Sequence, residues 1–160
     1  MTINVDKTEA MIMKRKRFIG PLVPIEIGKQ IVKYKEVSKV LGVYIDNRLE
    51  WDSHIDKVYK EYSGMIAMLR KASFLPAKTL EEIYYKIVIP KVTYGMLVWG
   101  TCTQNIFGRI EKQRVRAAKL IKNIPEKIES NRVLEKVGWD PIIHLYKKKV
   151  CMYVCIYQPG

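Results

Sequence analysis

The chain has 160 residues, enough for one ordinary domain or two small lobes, and 48% of them are hydrophobic, which excludes a disordered chain. Its formal charge is +13, from 29 Lys and Arg against 16 Asp and Glu, which suits a phosphate backbone or an anionic membrane as partner, with Lys-rich solvated faces as the alternative reading. The most apolar stretch, residues 87–99, is interrupted by Pro90 and Lys91 and falls short of the ~20 residues a membrane helix needs. The first ~20 residues alternate acidic, basic and apolar types with no continuous apolar core, so no signal peptide is read there. The basic surplus is uneven: +4 over residues 1–50, +7 over 51–125 and +2 over 126–160.

Residues 1–50 read as mostly β. A short apolar run at residues 10–13 ends in Lys14-Arg15-Lys16-Arg17. Ile25-Glu26-Ile27 and Gln30-Ile31-Val32 flank Gly28-Lys29, the pattern of a compact hairpin. Residues 40–45 read as a further strand with Gly42 inside it, which implies a bulge or a close backbone approach. From Asp52 the apolar period becomes helical, with Ile55, Val58, Tyr59, Tyr62, Met65, Ile66 and Leu69 on one face. Phe74-Leu75-Pro76 ends that helix. A second begins near Ala77 with Leu80, Ile83, Tyr84, Ile87 and Val88 on one face, and Pro90 must break or kink it.

A third helix covers about residues 104–122. Its apolar stripe (Ile106, Phe107, Ile110, Val115, Ala117, Ala118, Leu120, Ile121) runs beside a basic flank of Lys112, Arg114, Arg116, Lys119 and Lys122. A short helix near residues 130–137, a Gly138-Trp139-Asp140-Pro141 turn and a last helix from Ile142 complete the chain. The expected fold is α+β: a small antiparallel β part over residues 1–50, a helical bundle over 51–125 and a helical connector over 126–160.

Several of these segments, taken in order, carry a resemblance. They are Asn4-x-x-Lys7-Thr8, the stretch Lys39-Val40-Leu41-Gly42-Val43-Tyr44-Ile45-Asp46, and Trp51 with His54-Ile55. Tyr84, Pro90, Tyr94 and Trp99-Gly100 follow, then Gln113-Arg114, Arg116-Ala117 and Leu120-Ile121. Over residues 1–155 they resemble the C-terminal part of the palm and the thumb of non-LTR (LINE-type) retrotransposon reverse transcriptases. The resemblance implies that Lys7 is a general acid on the departing pyrophosphate, since an ammonium there stabilises charge and can donate a proton. It implies that Lys39 and Gly42 lie in a hairpin that steadies the primer end. The family usually has an aromatic just before Leu-Gly, and Val40 departs from that, so no base stacking is expected there. Arg114, Arg116 and Lys119 would contact template–primer phosphates without reading sequence.

Nothing in the chain corresponds to the aspartate pair that holds two metals for phosphoryl transfer. The resemblance therefore implies a piece that is inactive alone. The parent polymerase would use Mg, whereas no cofactor is expected in this chain. Its partners would be an RNA/DNA template–primer and the fingers and remaining palm of the same polyprotein. Met1 stands directly before a mid-domain motif, so a truncated reading frame is expected. The rival readings are a stand-alone basic nucleic-acid-binding module and a protein-interaction remnant.

Three cysteines, an odd number, fit reduced thiols inside a cell. Cys151-x-x-x-Cys155 sets two thiols on one helix face, but the C-x-x-C pairs of zinc knuckles are missing. Buried free thiols and no metal are the expectation. His54, near a helix start, reads as structural.

Overall fold

The structure, a computed structural model, describes residues 4–13 and 23–157. The basic run at residues 14–17 lies outside the described residues. The fold is α+β, as expected. Contacts divide the chain into two compact units, Met1–His54 and Ile55–Gly160.

Among the described residues, the first unit is built from five short strands. A 3₁₀ turn, Val5–Lys7, leads into β1 (Glu9–Ala10). β2 (Ile25–Ile27) and β3 (Gln30–Tyr34) form the expected hairpin, with Gly28 at φ +67° in its turn. β1 adds to β3 in parallel, giving the order β1-β3-β2. β4 (Val37–Val40) and β5 (Val43–Asp46) make a separate antiparallel ladder. This corrects the reading of residues 40–45 as one strand. Val40 pairs with Val43, and Leu41-Gly42 form a two-residue turn with φ of +47° and +87°. Positive φ at both central positions marks a type I′ turn, which matches the natural twist of the two strands. Gly42 is therefore a turn glycine, required because its conformation is strained for any residue with a Cβ.

After β5 the chain is gathered by one carboxylate. Asp46 Oδ1 accepts the N–H groups of Arg48 (2.9 Å) and Glu50 (3.1 Å), and Oδ2 accepts that of Trp51 (2.8 Å). Leu49 and Trp51 both have positive φ, so this loop is held in a conformation that side chains alone would not favour. Burial works against the Asp46 charge, but the backbone hydrogen bonds outweigh it and hold the carboxyl below its usual range. His54 is buried, and its Nδ1 accepts the Tyr44 N–H at 3.3 Å, which fits the structural role expected for it.

The second unit is helical. α1 (Asp52–Lys71) buries Ile55, Val58, Tyr62, Met65, Ile66 and Leu69, the stripe read from the sequence. α2 (Ala77–Ile83) runs into a π turn at Tyr84–Val88 and then α3 (Ile89–Val92). Pro90 does not break the helix here. It sits in the first turn of α3, and the wider turn before it accommodates the missing donor and the bulky ring. That wider turn also changes which residues face inward. Leu80, Tyr84, Val88, Val92 and Met96 are buried at a strict spacing of four, while Ile87, expected on the inner face, is 60% exposed.

α4 (Met96–Trp99) follows a turn at Gly95, whose φ is +63°. α5 (Gln104–Ile121) is the central helix, packed by α2, α6 (Ser130–Val137) and α7 (Ile142–Tyr157). α7 also packs on α4. At that crossing, a Cβ added to Gly100 would lie 2.4 Å from the Tyr146 ring and 2.4 Å from the Met96 carbonyl oxygen.

Two outcomes follow from this geometry. Gly100→Ala should lower stability by about 2 kcal/mol, since overpacking must displace backbone as well as the Tyr146 ring; thermal melting reads this directly. Asp46→Ala should cost about 2 kcal/mol through three lost charge-assisted bonds. The depressed folded value means this stabilisation is fully present above the unfolded value of 3.8 and disappears as pH falls through the lower folded value. Denaturation of wild type and variant should therefore converge in strong acid and differ at neutral pH.

Candidate nucleic-acid interface

The Asn4-x-x-Lys7-Thr8 motif folds into a self-capped turn. Asn4 Oδ1 accepts the Lys7 N–H at 3.3 Å, and the Thr8 hydroxyl donates to the Asn4 carbonyl at 2.8 Å. This explains the residue types: a short amide caps the turn, a hydroxyl closes it, and the lysine between them projects from a defined backbone. Further along the chain, Lys39 pairs across the β4–β5 ladder with Tyr44, and its ammonium lies 6.0 Å from the Tyr44 ring centroid.

The fold brings these two sequence-expected residues together. Lys7 and Lys39 line one surface cleft of about 480 Å³ with Glu9, Lys35, Val37, Ser38 and Tyr44. Glu9 pairs with Lys35 and also accepts the Ser38 hydroxyl at 3.0 Å. The Lys35 bond, then the Ser38 bond, keep the Glu9 carboxyl below its usual value. Three lysines against one carboxylate leave the cleft with a positive surplus, and the Glu9–Lys35 pair neutralises itself. Among the described residues Lys7 and Lys39 make no ion pair. Glu9, Lys35 and Ser38 carry no local sequence signal that would place them in a site. The parallel β1–β3 register, which brings Glu9 beside Lys33, is a long-range pairing that no local pattern discloses.

The hairpin tip beside this cleft is apolar and open. Leu41 is 86% exposed and Val40 48% exposed. Gly42 sits in that turn rather than in a strand, so it shapes the tip and presents no side chain.

In the helical unit the expected basic flank of α5 is rearranged. Arg114 is fully buried, which corrects its assignment as a phosphate contact. Its Nε donates to the Asp140 carbonyl at 2.8 Å and a terminal nitrogen donates to the Tyr84 hydroxyl at 3.1 Å. Its guanidinium carbon lies 5.3 Å from the Trp139 ring centroid and 5.9 Å from that of Tyr84, and these two rings stack at 4.5 Å. The Tyr84 and Tyr62 hydroxyls share a 2.6 Å hydrogen bond. Burial pushes the Tyr84 phenol up to about 12 and raises Tyr62 well above its usual value, so both stay neutral. Periodicity is the signal that locates Arg114: Ile110, Arg114, Ala118 and Ile121 recur at the spacing of the buried face.

Lys119 is also committed. Its ammonium donates to the carbonyls of Glu126 (2.8 Å) and Ile128 (2.7 Å), closing the loop after α5. Lys122 pairs with Glu81 at 2.6 Å, and the other Glu81 oxygen accepts the Trp139 indole N–H at 2.8 Å. On α7, Lys148 pairs with Asp140 and Lys149 donates to Thr93. Of the three α5 residues expected on phosphates, Arg116 alone is exposed and has no ion pair among the described residues. Lys112 is exposed in the same way. No group of three or more His, Cys, Asp and Glu side chains is placed to hold a metal ion among the described residues. No described helix is long and apolar enough to cross a membrane.

No protein-family model matches the chain and no solved structure matches it. Matches are found to RNA-directed DNA polymerases of mobile elements. The chain is 24% identical over 129 residues to a probable RNA-directed DNA polymerase from transposon BS of Drosophila melanogaster, covering 78% of this chain and 14% of that protein. It is 28% identical over 123 residues to the probable RNA-directed DNA polymerase from transposon X-element of the same species, covering 74% and 13%. It is 21% identical over 104 residues to the RNA-directed DNA polymerase from mobile element jockey, also of Drosophila melanogaster, covering 62% and 11%. These are polymerases of non-LTR retrotransposons, and the chain is similar to them over 62–78% of its length, as its motifs suggested. It spans about an eighth of the length of the curated relatives it matches.

The buried guanidinium yields a stability prediction that separates structure from binding. Arg114→Ala should destabilise by about 3 kcal/mol or more, because it empties a packed site and strands the Asp140 carbonyl and Tyr84 hydroxyl. Arg114→Lys should rescue little of this, since an ammonium cannot reproduce the planar contacts with both rings. Urea denaturation of the three proteins checks both statements.

Proposed function

We propose that this chain forms the template–primer-gripping part of a non-LTR retrotransposon RNA-directed DNA polymerase. In this reading residues 1–50 are the end of the palm, residues 51–125 the thumb and residues 126–160 a helical connector. The observation that carries it is the shared cleft: Lys7 and Lys39, drawn from two separate motifs of the resemblance, line one basic depression. A phosphate entering that cleft meets two ammonium groups not consumed by internal pairs, with the Ser38 hydroxyl and Tyr44 at its walls.

The two lysines take different roles. Lys7, on its rigid turn, faces the phosphates that leave during nucleotide addition and can act as the general acid. Lys39, on the hairpin, holds the primer backbone, while the Leu41-Gly42 tip approaches the strand. On α5, Arg116 and Lys112 supply phosphate contacts in place of Arg114 and Lys119. The metal ions of phosphoryl transfer would be held elsewhere in the polymerase. Glu9 is occupied by Lys35 and Ser38, and Asp46 by three backbone N–H groups. Fingers, the rest of the palm and an RNA/DNA duplex would be the partners.

The expected measurement is fluorescence anisotropy with a labelled primer–template across a salt series. Wild type should bind with a steep salt dependence. Lys7→Ala combined with Lys39→Ala should weaken binding on every sequence and reduce the slope of log K against log salt by about two. Arg116→Glu should weaken it further with no loss of helicity. An unchanged slope in the double variant would remove the cleft from the interface. Nucleotide incorporation by this chain alone with magnesium would overturn the assignment of the metal site to other parts of the polymerase.

A further inference from the structure

Contrary to the expectation of buried thiols, Cys151 and Cys155 are both exposed on α7. They stand one helical turn apart, a spacing that puts side chains on one face with Cβ atoms about 5–6 Å apart. Lys147, a further turn toward the helix start, lies on the same face and is exposed. The helix around them has no packing use for these sulfurs: Met152 is 65% exposed, Val154 43% and Ile156 70%.

We propose that Cys151 and Cys155 form a helical dithiol clamp for one soft, thiophilic d¹⁰ metal ion, namely Cu(I). Two thiolates are soft ligands, and soft ligands select Cu(I) over hard divalent ions. A tetrahedral zinc site needs four ligands, and no cluster of even three is available among the described residues, whereas Cu(I) is satisfied by two sulfurs in line. With metal–sulfur bonds of about 2.3 Å, the sulfurs stand up to ~4.6 Å apart, within reach of small rotamer changes at this helical spacing. The step balances as two thiols plus Cu⁺ giving a bis-thiolate copper complex and two released protons, with no change of oxidation state.

The test is anaerobic titration of the reduced full chain with Cu(I) against a chromophoric Cu(I) chelator, with light scattering to follow association. The expected result is one Cu(I) per monomeric chain and at least a 100-fold loss of affinity in Cys151→Ser and in Cys155→Ser. Cys102→Ser should leave the affinity unchanged. A relocated thiol, Cys155→Ser with Ile156→Cys, keeps the thiol count but turns one sulfur off the shared face, and it should lose affinity equally. The proposal is overturned if either single serine variant or the relocated thiol binds as tightly as wild type. It is equally overturned by one Cu(I) per two chains, or by no competition with the chelator. Both thiols are exposed, so circular dichroism should be the same for all variants.

Discussion

The helical unit is organised around a buried cation. A guanidinium taken out of water carries a desolvation cost of several kcal/mol, and it is tolerated only where its donors and its charge are met. Arg114 has no carboxylate at ion-pair distance among the described residues. What meets it is a carbonyl dipole from Asp140, the Tyr84 hydroxyl and two ring faces. These contacts hold together α1 through Tyr62, the π turn through Tyr84, α5 itself, and the α6–α7 turn through Trp139 and Asp140. The π turn is part of this arrangement. Its extra residue per turn keeps Leu80, Tyr84, Val88 and Val92 on one face and carries the helix past Pro90. A regular α-helix would rotate Tyr84 and Val92 progressively apart.

The β unit works by a different principle. Its strands are too short to define a cleft by themselves, so local polar chemistry fixes the geometry. Asn4 and Thr8 cap one turn, and Asp46 gathers another by accepting three backbone N–H groups. The β4–β5 turn shows where stability is not optimised. Type I′ turns favour Asn-Gly, because Asn tolerates the left-handed region and a Leu there is strained by roughly 1 kcal/mol. Leu41 occupies that position at φ +47° and is almost wholly exposed, so neither burial nor backbone preference accounts for it.

Much of the architecture is legible in the sequence because it rests on local signals. The α1 stripe, the Gly28-Lys29 hairpin and the short helix ending at Gly138 are set by period, turn residues and a left-handed cap. The remainder is hidden for identifiable reasons. Val40 and Val43 flank the Leu41-Gly42 turn without a polar residue, so the run looks like one strand. Ile87 falls inward only when a 3.6-residue period is carried across the π turn. Arg114 groups with its charged neighbours by residue type, but its position belongs to the buried face. Of the site, Lys7 and Lys39 are legible individually through motif resemblance. That they meet, and that Glu9, Lys35 and Ser38 stand with them, depends on strand pairing across more than twenty residues.

The fate of the lysines and arginines decides how the net charge should be used. A surplus of +13 suggests a broad basic face, yet many of the cations are already engaged. Lys35, Lys122 and Lys148 pair with carboxylates, Lys119 and Lys149 donate to backbone carbonyls, and Arg114 is enclosed by aromatic rings. A phosphate backbone competes poorly for such groups, because displacing them leaves carbonyls or carboxylates unsatisfied. Electrostatic attraction at long range is a property of the whole charge, whereas contact affinity is a property of the uncommitted few. In the proposed reading, the cleft lysines, Lys7 and Lys39, and the exposed α5 residues Lys112 and Arg116 are therefore where substitutions would change binding. Substitutions at Arg114 and Lys119 change folding first, and any loss of binding they cause follows from that.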